Sequence, residues 1–179
     1  MISKSTVNTT SRLPWLGLLV AAGACLAPLA HVMELPNKPR LDGPLWLAVQ
    51  QHLYNGWGPV IGAPTEIGGL IISLALATIH RKSRPTMLLY SIAAIAYGAM
   101  ILSFFVLNAP VNKALNGWTP ETLPADWARY RLQWEIGHAT SALLGVIALL
   151  ATATALLRIR QCARTSAAMH NRDHDRRFR

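Results

Sequence analysis

Four long apolar stretches constrain this chain more than any other feature of it. They cover roughly residues 13–33, 59–79, 86–107 and 135–157. About 20 apolar residues in helical form cross the hydrocarbon core of a bilayer. Lipid offers no partner to a backbone N–H or C=O, so each stretch must satisfy its own hydrogen bonds as an α-helix. None alternates with the period of two that a membrane barrel requires. The expected fold class is therefore all-α, a four-transmembrane-helix bundle. Residues 1–12 read as an N-terminal segment, 13–157 as the membrane domain and 158–179 as a basic, irregular tail. Composition agrees: 14% of residues are charged and 52% hydrophobic, against about 25% charged in soluble domains. That hydrophobicity also excludes disorder as the main state.

The basic residues sort by side. Lys4 and Arg12 precede the first stretch. Arg81, Lys82 and Arg84 join the second to the third. Arg158, Arg160, Arg164, Arg172, Arg176, Arg177 and Arg179 follow the fourth. Only Lys38, Arg40, Lys113, Arg129 and Arg131 fall in the other two connections. Positive-inside counting places both termini in the cytoplasm, with a bacterial plasma membrane as the expected location. The net charge of +9 thus reads as an orientation signal. No aromatic residues interleave a basic stripe, so nucleic acid is not an expected partner. The first stretch is expected to stay as a helix rather than be cleaved as a signal peptide, since Pro28 breaks the A-x-A pattern before Ala30. Cys25 and Cys162 should lie at different depths, which excludes a disulfide between them.

Both outer connections are long and rich in Trp and Pro. In the first, Leu45, Trp46, Val49, Leu53 and Trp57 recur at helical spacing, predicting a short interfacial helix on the membrane surface. In the second, Pro124-Ala125-Asp126-Trp127 reads as a helix start. Trp127, Tyr130 and Trp134 would then mark the interface belt. Gly62, Gly68 and Gly69 suit close helix packing, and Tyr97 and Ser103 are expected to hydrogen-bond within the bundle. Asn108, Asn112 and Asn116 recur at i+4 spacing, suited to pairing loop backbone or a polar ligand. His170 and His174, also four apart, read as part of a solvated tail.

Ionisable groups at membrane depth call for a functional hypothesis. His31 and Glu34 are three apart at the outer end of the first stretch. Glu66 lies early in the second, and Glu135 and His138 are three apart at the start of the fourth. Spacings of three share a helical face, and the topology brings all these ends to one side. Such a set suits a transition metal held by His31 and Glu34 with Glu135 and His138. It suits equally well cofactor-free proton abstraction by Glu66, Glu135 or His138, or a proton or ligand relay. Structural readings stand beside these. Arg131 and Glu135, four apart, would make an interfacial ion pair, and Glu66 would complement the helix dipole in a first turn.

The outer segments also carry a resemblance. Asn108-Ala109-Pro110-Val111-Asn112-Lys113, then Trp118, Asp126-Trp127, Arg131, Trp134-Glu135 and His138, resemble the anthrone-oxygenase-like family of small four-helix membrane proteins. His31-Val32-Met33-Glu34-Leu35-Pro36-Asn37-Lys38 and Gln50-Gln51-His52-Leu53-Tyr54 look like its bacterial members. The resemblance implies a four-helix membrane bundle and, from some fungal members, oxygenation of anthrones to anthraquinones. It adds Asn112, Trp134 and His52 as candidate substrate-binding residues. The expected partners are the lipid bilayer and a lipophilic aromatic or quinone-like molecule, with a homo-oligomer open. The alternative is a non-enzymatic membrane protein, a ligand-binding or accessory subunit.

Overall fold

The computed structural model describes the backbone of residues 4–177 and side chains from Arg12 to Thr165. His170 and His174 lie outside the residues whose side chains are described. The first helix, α1 (Lys4–Glu34), begins nine residues before the first apolar stretch does and carries Pro14 and Pro28 inside it. A 3₁₀ turn (Lys38–Arg40) leads to α2 (Gly43–Ala48), which continues as a wide π turn (Val49–Leu53). A second π turn (Gly58–Gly62) opens α3 (Ala63–Ile79). After a tight turn, α4 (Arg84–Ser103) ends in a third π turn (Phe104–Asn108) and passes into α5 (Ala109–Leu115). The last helix, α6, runs Trp127–Arg177. It runs on through the basic segment that follows the fourth apolar stretch. Ala, Arg, Gln and Met are good helix formers, and the helix simply continues past the apolar stretch.

Among the described residues, four helical segments are long and apolar enough to cross a membrane: Arg12–Glu34, Gly58–Ile79, Arg84–Leu115 and Trp127–Thr165. They fit an integral membrane protein. They pack in a closed ring, α1 on α3 and α6, and α4 on α3 and α6. The sorting of side chains matches a lipid solvent. The centre is built of small residues, Ala21, Ala24, Ala93, Ala96, Ala148 and Ala151, around Tyr97 and Met100. The outside carries the large apolar ones, with Ile95 72% and Leu19 70% exposed. Lipid tails are as apolar as Leu, so association relies on close approach of small residues. Gly69 is the sharpest case: a Cβ there would enter the ring of Tyr97. Gly62 and Gly68, grouped with it in the sequence, have open space instead. Tyr97 and Ser103 are buried, but among the described residues their hydroxyls have no hydrogen-bond partner.

The two long connections form a cap over one end of the ring. The first of them carries a short helix, α2, whose apolar side faces protein. Trp46 and Leu47 are fully buried against Val111, Leu115 and Trp134, while Leu45 and Leu53 stay exposed. Asp42 caps α2 by accepting from Leu45 N at 2.9 Å. Gln51 Nε2 ties the first connection to the second, donating to Leu115 O at 2.7 Å and Trp118 O at 3.0 Å. Trp134, expected in an interface belt, is also buried in this cap.

Candidate functional site

Beneath the cap lies a cation that the sequence does not advertise as buried. Lys38 is only 4% exposed. Its Nζ sits 2.8 Å from Glu34 Oε2, 3.6 Å from Glu135 Oε1 and 3.3 Å from His31 Nδ1. It also lies over the rings of Trp134 and Tyr54, at 4.7 and 4.9 Å from their centroids. A buried ammonium is tolerable only with compensation of this kind. Tyr54 donates its hydroxyl to Glu34 Oε2 at 2.6 Å. Burial first, and this bond to a carboxylate second, push the Tyr54 phenol above its usual range.

Lys38 bears on two of the sequence expectations. The ammonium lies among His31, Glu34 and Glu135, three of the four side chains expected to share a metal with His138. Among the described residues no three His, Cys, Asp or Glu side chains converge as a metal site. The donor set thus fits an internal cation rather than a resident metal. Arg131 does not pair with Glu135 either. Its guanidinium donates to Leu41 O at 3.2 Å and lies 4.8 Å over the Trp127 ring. Glu34 and Lys38 are four apart, the one signal in the sequence that would have found this pair.

His31 is the hinge between this knot and a cavity. It is buried and boxed by rings: Tyr54 and Trp134 at 4.6 Å, Trp57 at 5.6 Å and His138 at 4.3 Å between centroids. Trp134 and His138 lie one helical turn apart on α6, 4.0 Å between centroids. Trp134 is fixed from two sides by the asparagines of the second connection. Its Nε1 donates to Asn112 Oδ1 at 3.0 Å, and its backbone O accepts from Asn108 Nδ2 at 3.0 Å. Asn108 can come this near because Gly137 faces it. A Cβ at Gly137 would overlap the Asn108 amide.

The cavity holds about 470 Å³, a size suited to a small organic molecule. All three π turns border it, supplying Gln50 and Gln51, then Pro59 and Gly62, then Phe104, Phe105 and Asn108. Such turns recur at functional sites because they displace side chains from the α-helical phase. Trp57 and Trp134 add aromatic wall. The ionisable lining consists of His31, His138, Tyr54 and Glu66. Glu66 is half-buried in the first turn of α3.

Of the residues singled out in the sequence, Glu66, His138, Asn112, Trp134 and His31 line this one cavity. Glu34 and Glu135 do not; they are held at its edge by Lys38. His52 is exposed and outside it. The π turn places its neighbours Gln50, Gln51 and Tyr54 inward and leaves His52 facing away. Neither Lys38 nor Gln50 stood among the candidate residues. A four-helix membrane bundle with a capped, aromatic and weakly ionisable cavity is the class that fold and site define. Neither a family model, nor a curated protein, nor a solved structure matches this chain.

Proposed function

We propose that the chain is a membrane oxygenase or oxidoreductase that takes a lipophilic aromatic or quinone-like substrate into the capped cavity. One observation carries the reading. A Glu66 carboxyl and the His138 imidazole face the same aromatic-walled space, and no hydrogen bond or ion pair to another described side chain occupies either. The resemblance of the Asn108–Lys113 and Trp134–His138 segments to anthrone-oxygenase-like proteins points the same way.

In this reading Glu66 or His138 takes a proton from an activated C–H of the substrate. Dioxygen, which concentrates in lipid, adds to the resulting carbanion. The peroxide that forms is protonated and loses water, leaving a carbonyl. One oxygen atom stays in the product and the other leaves as water, so dioxygen accepts the electrons. Trp134 and Asn112 shape the pocket, and Lys38 holds His31 in place. The cap lies on the extracytoplasmic side of a bacterial plasma membrane, with both termini cytoplasmic, as the basic residues favour. The α2 region lies at that interface through exposed Leu45 and Leu53. The exposed apolar faces are compatible with a homo-oligomer.

Oxygen uptake by the purified protein in lipid nanodiscs with anthrone is the test. Glu66→Gln and His138→Ala are expected to lose about 10²–10⁴-fold in turnover, the usual worth of a general base. Undiminished turnover in both variants removes these roles, and no uptake by the wild type removes the enzyme reading. The non-enzymatic alternative draws on the Lys38 knot, where most of the buried charge is consumed in holding the cap. An unreacted lipophile that co-purifies and survives incubation with dioxygen would favour it.

A further inference from the structure

Six carboxamide side chains border the cavity: Gln50, Gln51, Asn55, Asn108, Asn112 and Asn116. Three are already committed. Gln51 donates to Leu115 O and Trp118 O, Asn108 to Trp134 O, and Asn112 accepts from Trp134 Nε1. Asn55 and Asn116 are exposed, where water serves them. Gln50 differs from all of these. It is 7% exposed, and its Nε2 is buried with no hydrogen-bond partner among the described residues. A buried N–H without an acceptor is a net cost to folding, and a native site keeps such a group when something else supplies the acceptor.

We infer that Gln50 is the anchor of the ligand, its Nε2 donating to a carbonyl oxygen of a neutral, flat, lipophilic molecule. Each part of that description has a source in the wall. The donor demands an acceptor, which excludes an ammonium and a plain hydrocarbon. Among the described residues no Lys or Arg lines the cavity, so a carboxylate or phosphate would be desolvated without a counter-ion. Glu66, in the same wall, repels an anion further. Trp57, Trp134, Phe104 and Phe105 offer ring faces and edges that suit a planar polycycle. Gln50 itself is placed by the π turn after α2, which turns it inward beside Gln51.

The inference rests on the cavity being a ligand site, and the test separates the two. Anthraquinone and anthracene are nearly the same size and shape, and only the first has carbonyl oxygens. Binding of each to purified protein in nanodiscs is followed by quenching of tryptophan fluorescence. Wild type is expected to prefer anthraquinone by about tenfold, the value of one well-made hydrogen bond. Gln50→Met, which keeps an unbranched side chain of similar length, is expected to erase the preference and leave anthracene affinity unchanged. A preference of unchanged size in Gln50→Met overturns the role of Gln50 while leaving the cavity reading intact. Failure of both probes to bind wild type overturns the cavity reading itself. A second measurement needs no variant. The C=O stretch of anthraquinone bound to wild type is expected to shift down from its position in alkane, and an unshifted band overturns the inference.

Discussion

Lys38→Met is the most informative single change, because it removes the ammonium and keeps an apolar stem of similar length. Its two carboxylate partners do not suffer equally. Glu34 is about a third exposed and keeps the Tyr54 hydroxyl. Glu135 is 11% exposed, and its Oε1 faces Lys38 at 3.6 Å with no hydrogen-bond partner among the described residues. Removing one partner of a buried pair costs about 3–5 kcal/mol. Protonation sets a ceiling on that figure. An ordinary glutamic acid titrates near pH ~4.3, and each pH unit is worth ~1.4 kcal/mol, so neutralising one at pH ~7 costs ~4 kcal/mol. The expected loss is therefore ~3–4 kcal/mol at neutral pH, falling to ~1 kcal/mol at pH ~5, where the orphaned carboxyl is neutralised cheaply. Adding Glu135→Gln should recover part of the loss, with a coupling of about 1–3 kcal/mol in the double-mutant cycle. Reversible unfolding in mixed micelles, followed by tryptophan fluorescence at both pH values, measures all four species. A Lys38→Met variant within ~0.5 kcal/mol of wild type, or a loss that neither low pH nor Glu135→Gln relieves, would refute this account of the knot.

Gly137→Ala should drive its new methyl into the Asn108 amide and break the Asn108–Trp134 bond, costing about 1–3 kcal/mol in the same unfolding assay; a neutral result would mean the two helices separate freely there. Tyr54→Phe should lose about 1–2 kcal/mol by removing the donor to Glu34. Because the folded phenol titrates above the unfolded one, this bond's stability is intact below pH ~10 and declines as the pH rises beyond it. Tyr54→Phe should therefore leave the tyrosinate absorbance of the folded protein unchanged near pH ~10, and a reduced signal would show that the phenol ionises normally. His52→Ala should stay within ~0.5 kcal/mol of wild type and bind anthraquinone unchanged, and a clear loss of binding would return His52 to the cavity.

The four apolar helices were legible because their length and hydropathy are set by the bilayer rather than by tertiary detail. The gathering of His31, Glu66 and His138 was legible too, since helical spacing and an even number of passes bring those ends together. What spacing could not give was the cap. Lys38 reads as an ordinary charged loop residue, yet the chain folds back and makes it the cation at the centre. Arg131 and Glu135 have the right separation for a pair, but the Leu41 carbonyl and the Trp127 ring claim the guanidinium. Trp46 lies on a short helix whose apolar side turned to protein. His52 came in with the resemblance alone, and it is exposed and outside the cavity. Gln50, the buried donor, carries no mark in the sequence at all, since its lack of a partner exists only after folding.

The wide turns have a consequence for how this pocket can be altered. Each holds one residue more than an α turn would. Removing a single residue from Phe104–Asn108 would return that turn to α geometry and shift the side chains it sets against the cavity, Phe104, Phe105 and Asn108. Point replacements re-line the chamber, whereas one-codon deletions at these turns would re-aim the side chains that each turn presents to it. Length, more than identity, is what keeps the space open.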